Sequence, residues 1–509
     1  MAKSIGDRDL GLLTRALSLD ALDGVVTRLQ EAMGTALHAV GHINTPGGSG
    51  SASAGPTMQP AYVAGMPTGR ELGTFLAVDV GGSTLRTAVI RLAPREGAPS
   101  DGHAEATAGD STSKGSGILY RNSETIDDAI RNLDGHSFFA WIANQMQSAV
   151  EAAEQNGWLD RDNDGYVSAG LTWSFPLRQD MENCWRIAEM GKGFARMATE
   201  MQGWDVRAKL EEACAIAADD AAAPTTRVRL NAVVNDTAAV LLAGRRLDSR
   251  CRASVVVGTG LNAAVATVGG RDGGSGSTTI VNAELSLFGG GTGVLPRTRW
   301  DIELAHDLEQ QGELPQPLEQ MCSGRHIPEI ARRALRDLLF QYRPAACVPT
   351  GLDRVGGLDA LDMSQAESAL DAARALQDFL ATHPCRRETA ALTVGEMSFV
   401  RAVFGAVSSR AAALVAAALV ALWGAAATAK DEEANGDMDG SGARGRDAEV
   451  VVIACSGSVM EHYFSFLARA QGFVDALCGR GRGRGGVRLV LRVAHDSALW
   501  GAAVAAACA

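Results

Sequence analysis

Apolar residues at Leu22, Val25, Val26, Leu29 and Met33 fall at helical spacing between Ser18 and Met33, which predicts an amphipathic helix packed on a larger body. Farther along, the period changes to that of strands. Phe75 to Leu92 reads as two β-rich apolar runs around Gly81-Gly82-Ser83-Thr84, a hairpin whose paired glycines allow positive φ. Strand-like runs recur at Ile118 to Tyr120, Val167 to Phe175, Val228 to Val234, Val450 to Ala454 and Val487 to Val493. Ser254 to Asn262 reads strand, polar turn, strand. Helical patterns lie at Phe138 to Ala153, after Asn235-Asp236-Thr237, and in the alanine-rich C-terminus. Ala411 to Ala429 is uncharged and close to the ~20 residues a bilayer requires. Alanine dominates it and inserts into lipid only weakly, so the expectation is a helix buried in a large lobe, with no membrane span.

Between these elements, Ile43 to Gly55 and Gly269 to Thr279 are glycine- and serine-rich connections. Pro94 to Gly117 is a polar excursion, and Lys430 to Asp447 is charged and glycine-rich. A strand followed by a glycine turn occurs at Asp79-Val-Gly-Gly-Ser83 and again at Val257-Gly-Thr-Gly260. Strands followed by helices in both halves predict an α/β protein of two similar lobes with a cleft between them.

Composition narrows the partners. At 509 residues, with 46% hydrophobic and 21% charged residues, the chain can bury more than one core. A net charge of −12 argues against nonspecific binding to nucleic acid or anionic lipid. Nine cysteines, with no Cys-x-x-Cys pair, read as reduced thiols in a cytoplasmic protein. Met-Ala-Lys-Ser-Ile-Gly-Asp at the start has no apolar h-region, so no secretory signal is expected.

Chemistry enters at the hairpin. Successive N–H groups of the Gly81-Gly82 turn, with the Ser83 and Thr84 hydroxyls, would form a concave site for phosphate oxygens. Asp79 would offer a hard oxygen, or hold a water, beside a magnesium-bound phosphate; a purely structural turn is the alternative. Asp236 could equally serve as a helix cap beside Asn235. Three motifs are set aside. Asp160-Arg-Asp162-Asn-Asp164-Gly165 opens like an EF-hand loop, but its twelfth position is Leu171. Gly481-Arg-Gly483-Arg-Gly485-Gly486 precedes a strand instead of following one. Asn235-Asp-Thr237 fits a glycosylation site but reads as buried.

Taken in order, the motifs from about Met66 onward resemble those of the hexokinase family, most closely its divergent fungal members. The first phosphate motif is matched by Asp79, Gly81, Gly82, Ser83, Thr84 and Arg86, and the sugar-binding loop by Ser174, Phe175 and Pro176. Lys192 stands in Gly191-Lys-Gly-Phe194, Asn235-Asp236-Thr237 matches the catalytic motif, and Gly258, Thr259, Gly260 and Asn262 match the second phosphate motif. Glu284 and Glu319 correspond to the two sugar-binding glutamates. Gly457, Ser458 and Asp496 remain of the nucleotide-side motifs, with Ser456 where an aspartate is usual.

The resemblance implies a two-lobed actin-like ATPase (ribonuclease H-like) sugar kinase fold with an interlobe cleft. It implies an N-terminal helix and connection at 1–65, a small lobe at 66–233, a large lobe at 234–494 and a C-terminal helix at 495–509. It further implies transfer of the terminal phosphate of ATP, with Mg²⁺ carried by the nucleotide and no protein metal site, to the 6-hydroxyl of a hexose or of N-acetylglucosamine. Asp236 would accept the hydroxyl proton, with Lys192 offsetting its charge. Ser174, Asn235, Asn262, Glu284 and Glu319 would hold the sugar. Two departures matter. Leu285-Ser286 stands where the family has tryptophan-glycine, and loss of the tryptophan would make room for a larger C2 substituent; some divergent fungal members are N-acetylglucosamine kinases. Ser456 and Ser497-Ala498-Leu499 weaken the nucleotide side, which keeps a noncatalytic sugar sensor as the alternative.

Overall fold

The computed structural model describes residues 11, 13–14, 17–42, 56–61, 63–95, 115–162, 164–179, 184–188, 190, 194, 199–219, 227–268, 278–341, 344, 347–386, 392–434, 449–482 and 486–509. In chain order the elements used below begin with α1 (Leu19–His42), β1 (Gln59–Ala61), β2 (Gly73–Val80), β3 (Thr84–Leu92) and β4 (Gly117–Thr125). Then come α2 (Asp128–Arg131), α3 (Gly135–Gln155), β5 (Val167–Trp173), β6 (Leu177–Gln179), β7 (Trp185–Ile187), α4 (Val206–Asp219), β8 (Val228–Val234) and α5 (Asp236–Leu247). They are followed by β9 (Cys251–Val257), β10 (Leu261–Val268), β11 (Thr278–Asn282), α6 (Arg299–Gln310), α7 (Pro317–Cys322) and α8 (Ile327–Leu338). The last are α9 (Val394–Ala434), β12 (Glu449–Ser456), α10 (Ser458–His462), α11 (Phe466–Gly479), β13 (Val487–Val493) and α12 (Ser497–Cys508).

Two mixed sheets organise these elements. A five-stranded sheet has the order β4-β3-β2-β5-β8, and a six-stranded sheet the order β1-β11-β10-β9-β12-β13. In each, an antiparallel hairpin adjoins parallel strands: β2–β3 beside β5 and β8, and β9–β10 beside β12 and β13. The architecture is α/β, as expected, with a glycine turn closing the hairpin of each sheet.

Helices cover both sheets. The apolar face of α1 packs along α9 and extends past the predicted end at Met33 to His42. By length and composition Val394–Thr428 is long and apolar enough to cross a membrane. Here its residues 411–422 are 0–1% exposed, enclosed by α1, α8, α11 and β10. Arg410 is fully buried in the same helix and pairs bidentately with buried Asp301 at 2.6 and 2.7 Å, while Asp301 also caps α6 through Thr298.

The C-terminal helix α12 lies between β5 and α5. It approaches so closely that a Cβ on Gly170 would stand 1.9 Å from the Ala502 carbonyl oxygen, and one on Gly501 would stand 2.1 Å from that of Ala239. The EF-hand-like run is a surface turn. Asp160 accepts the Thr74 N–H at 2.8 Å, while Asp162 and Asp164 pair with Arg229 at 2.8 and 3.0 Å, so its carboxylates are committed to the protein.

Candidate active site

The first turn closes with the Gly81 N–H donating to the Thr84 carbonyl at 3.0 Å. Neither Gly81 nor Gly82 adopts positive φ, contrary to expectation. Glycine is favoured at position 81 by space instead: a Cβ there would lie 3.2 Å from the Thr84 carbonyl oxygen. Ser83 is exposed at the tip. From behind, the Ser83 carbonyl accepts the Ile126 N–H at 2.9 Å and the Gly82 carbonyl accepts an Arg131 guanidinium N–H at 3.2 Å, so α2 braces the turn. Strand register sets Asp79 opposite Arg86, and their side chains lie 3.5 Å apart with the carboxylate buried.

Ser174 extends the β5–β2 pairing to this turn, donating its N–H to the Val80 carbonyl at 3.0 Å. Phe175 departs from its expected part in sugar binding. Its ring is buried, 5.6 Å from Trp173 and 5.2 Å from Phe194, in the aromatic core of the sheet. The ring therefore anchors the loop, leaving Ser174 and exposed Pro176 at the surface. Gly191, Lys192 and Gly193 lie outside the described residues.

Asn235 caps α5. Its Oδ1 accepts the Thr237 N–H at 3.0 Å and hydroxyl at 2.8 Å, and Asp236 is the first helical residue, half-buried, with Oδ1 2.7 Å from the same N–H. The cap is thus Asn235, and Asp236 follows it as the first residue of the helix. One hydrogen bond seats this helix start on the six-stranded sheet: the Ser254 hydroxyl donates to the Thr237 carbonyl at 2.6 Å. Ser254 is registered opposite Ala264, and Ala264 opposite Asn282, so Ser254, Asn282 and Asn262 share the sheet face that α5 covers.

On that face the sugar-site candidates form a chain. Asn262 Nδ2 donates to Asn282 Oδ1 at 2.8 Å, and Asn282 Nδ2 donates to Glu284 Oε1 at 2.9 Å. Asn262 Oδ1 accepts the Leu285 N–H at 3.1 Å. Glu284 has φ +47°, a left-handed conformation that costs a side-chain-bearing residue on the order of 1–3 kcal/mol and is found where surrounding contacts enforce it. Asn282, outside the expected site set, is the connecting member.

The second turn closes with Gly258 N–H to the Gly260 carbonyl at 3.0 Å, and the Gly258 carbonyl accepts the Gly324 N–H at 2.7 Å. Thr259 is its exposed tip. Glu319, from α7, reaches into the turn: its Oε2 accepts the Leu261 N–H at 2.9 Å. Its other oxygen lies 4.0 Å from Nε2 of His326, a residue that sequence reasoning missed. Burial and neighbouring Arg325 hold that imidazole down to about 4, so it is neutral near pH 7.

Gly457 has φ +101°, and a Cβ on it would stand 2.5 Å from the Val257 carbonyl oxygen. Only glycine fits this crossing of two turns. Ser458 is exposed beside it. Asp496, with φ +49°, pairs with Arg121 of β4 at 2.8 Å. The two glycine turns, the start of α5 and the asparagine–glutamate chain could together hold a polyol, a polyphosphate and a carboxylate base. Among the described residues no three His, Cys, Asp or Glu side chains converge as a metal site.

Comparison with known proteins gives a consistent result. Two family models, both described as hexokinase, match residues 14–246 and 252–508. Hexokinase-1 of Oryza sativa subsp. japonica is 27% identical over 465 residues, covering 88% of this chain and 81% of that protein. N-acetylglucosamine kinase 1 of Candida albicans is 29% identical over 307 residues, covering 56% of each. The structure of the Schistosoma mansoni hexokinase complexed with glucose superposes with a TM-score of 0.71 over the whole of both chains at 22% identity, a likeness of fold.

Proposed function

This chain belongs to the hexokinase family of sugar kinases, and on that premise we propose that it transfers the terminal phosphoryl group of Mg-ATP to the 6-hydroxyl of a hexose or of N-acetylglucosamine. The observation that carries this reading is the seating of Asp236. The helix it opens is bonded through Ser254 to the sheet face on which Asn262, Asn282 and Glu284 form one polar chain.

Chemistry follows from that arrangement. A sugar hydroxyl is a weak nucleophile until a base takes its proton, and this reading assigns that role to Asp236. Asn262, Glu284 and Glu319 would orient the ring, and Ser174 would close over it beside the first turn. The amide and hydroxyl groups of Ser83, Thr84 and Thr259 suit phosphate oxygens, with Gly81, Gly82, Gly258 and Gly260 allowing close backbone approach. Mg²⁺ arriving with the nucleotide would neutralise charge on those phosphates. Free thiols at all nine cysteines support placing the protein in the cytoplasm, testable by imaging a fluorescent fusion.

Substrate choice within this class follows from Leu285 and Ser286. Both are buried directly after strained Glu284, and Leu285, smaller than the tryptophan usual at that position, supports room at the sugar C2 position. The likeness to the Candida N-acetylglucosamine kinase supports the same reading. The deciding experiment is a sugar panel in an assay coupled to ADP release, with Asp236→Ala as control. Activity on glucose or N-acetylglucosamine that the substitution abolishes is expected, and an inert wild-type protein would sink the proposal. A noncatalytic sensor is favoured only by Ser456 and the Ser497-Ala498-Leu499 run. Calorimetry finding sugar binding without ATP binding would select it.

A further inference from the structure

The turn at Ser456–Gly457 has no acidic residue of its own, yet a carboxylate is bonded into it. Glu461, five residues on, turns back so that Oε1 accepts the Ser456 hydroxyl at 3.0 Å and the Gly457 N–H at 3.0 Å. Its other oxygen lies 2.9 Å from His495 Nδ1. The Glu461 side chain is 13% exposed, whereas that of His495 is 76% exposed. An ionised carboxylate can only accept, so Nδ1 of His495 carries the proton in this contact, and Nε2 is the ring's remaining polar atom.

Three segments meet at this one side chain. The Ala494 N–H donates to the Cys455 carbonyl at 2.9 Å, which brings His495 and Asp496 off the end of β13 beside the 456–457 turn. That turn rests on the second glycine turn. Ser458 N lies 3.5 Å from where a Cβ on Gly258 would stand, and Gly457 abuts the Val257 carbonyl. Displacing Ser456 and Gly457 would therefore displace Gly258 and Thr259. A carboxylate near a polyphosphate is ordinarily repulsive. Both Glu461 oxygens are engaged by protein donors, which lessens that repulsion without removing the charge.

We infer that Glu461 is a positioning residue for the nucleotide: its carboxylate holds the Ser456–Gly457 turn and His495 against the second glycine turn, in the places from which they meet a nucleoside triphosphate. The inference rests on the kinase reading above and specifies how the nucleotide side is built in a chain whose turn carries serine at 456.

The test uses the full chain and the substitutions Glu461→Ala and Glu461→Gln. Calorimetric ATP affinity, KM for ATP and for sugar, melting temperature and hydrogen exchange at the Gly457 amide are measured together. Alanine removes the acceptor. It is expected to weaken ATP binding and raise its KM about tenfold, equivalent to about 1.4 kcal/mol, with Gly457 exchange accelerated and sugar KM nearly unchanged. Glutamine keeps a carbonyl oxygen for Ser456 and Gly457, so it should restore most of the ATP affinity. Wild-type ATP affinity in the alanine variant would overturn the inference. So would a parallel fall in ATP affinity, sugar affinity and melting temperature, which would mark Glu461 as merely structural. Wild-type protein that binds no ATP would overturn the kinase reading first and this inference with it, and that failure is seen without any variant.

Discussion

Glu319 occupies the space that a side chain on Gly260 would need: a Cβ there would stand 2.8 Å from Glu319 Oε2, the oxygen that accepts the Leu261 N–H. The glycine turn and the sugar-site acid therefore fix one another. Gly260 is not at positive φ, so alanine strains no backbone there and only pushes the carboxylate aside. Gly260→Ala is expected to raise the KM for sugar at least tenfold while changing stability by less than about 1 kcal/mol. Sugar kinetics and urea denaturation on the same preparation check this. An unchanged sugar KM would show that Glu319 does not touch the substrate.

Asp236 supports a different signature. It follows the Asn235 cap, so its carboxylate can be removed without removing the cap bond to Thr237. Asp236→Asn is expected to lower kcat by about 10²–10⁴, the usual worth of a positioned base. Sugar affinity, measured by calorimetry, should change little. A variant that keeps more than a tenth of wild-type kcat would assign the proton to another group.

His326 makes stability depend on pH. Its imidazole is buried behind Glu319 and held down to about 4, below the ordinary value of 6.5. The unfolded chain therefore binds a proton that the folded chain refuses. Stability from this residue is intact above about pH 6.5 and is lost as pH falls toward 4, by on the order of 3 kcal/mol in all. His326→Phe should flatten that part of the stability–pH curve between pH 7 and 4.5, read as the urea midpoint at each pH. A curve of unchanged slope would mean that His326 is protonated in the folded state.

Much of this was legible in the sequence because the informative residues are contiguous. The hairpin at 73–92 and the strand and helix flanking Asn235 declare themselves by alternation and punctuation within a dozen residues. What was not legible depends on neighbours distant in sequence. Phe175 reads as part of a sugar loop until Trp173 and Phe194 close around it. Gly81 reads as a left-handed turn residue, although space against Thr84 is what favours glycine. Asn282 joins Asn262 to Glu284 only because β10 and β11 are adjacent. Three-residue β1 is too short to carry a period. The carboxylate of Glu461 is displaced by five positions from the turn it serves, so a linear motif cannot contain it.

The last prediction concerns α12, which joins the two halves of the site. Gly170 and Gly501 let this helix touch β5 on one side and α5 on the other, backbone against backbone. Because the opposing atoms are the Ala502 and Ala239 carbonyl oxygens, no rotamer change can relieve an added methyl. Gly501→Ala is expected to cost about 3 kcal/mol, near the upper end of overpacking penalties, and to shift α5 and Asp236 with it. Gly34→Ala is the matched control, a mid-helix glycine of α1 with nothing within 4 Å of the new methyl. It should stabilise by about 0.5–1 kcal/mol through helix propensity. Urea midpoints that move in opposite directions are the expected result. A Gly501→Ala protein as stable and as active as wild type would mean that α12 does not hold β5 and α5 in their positions.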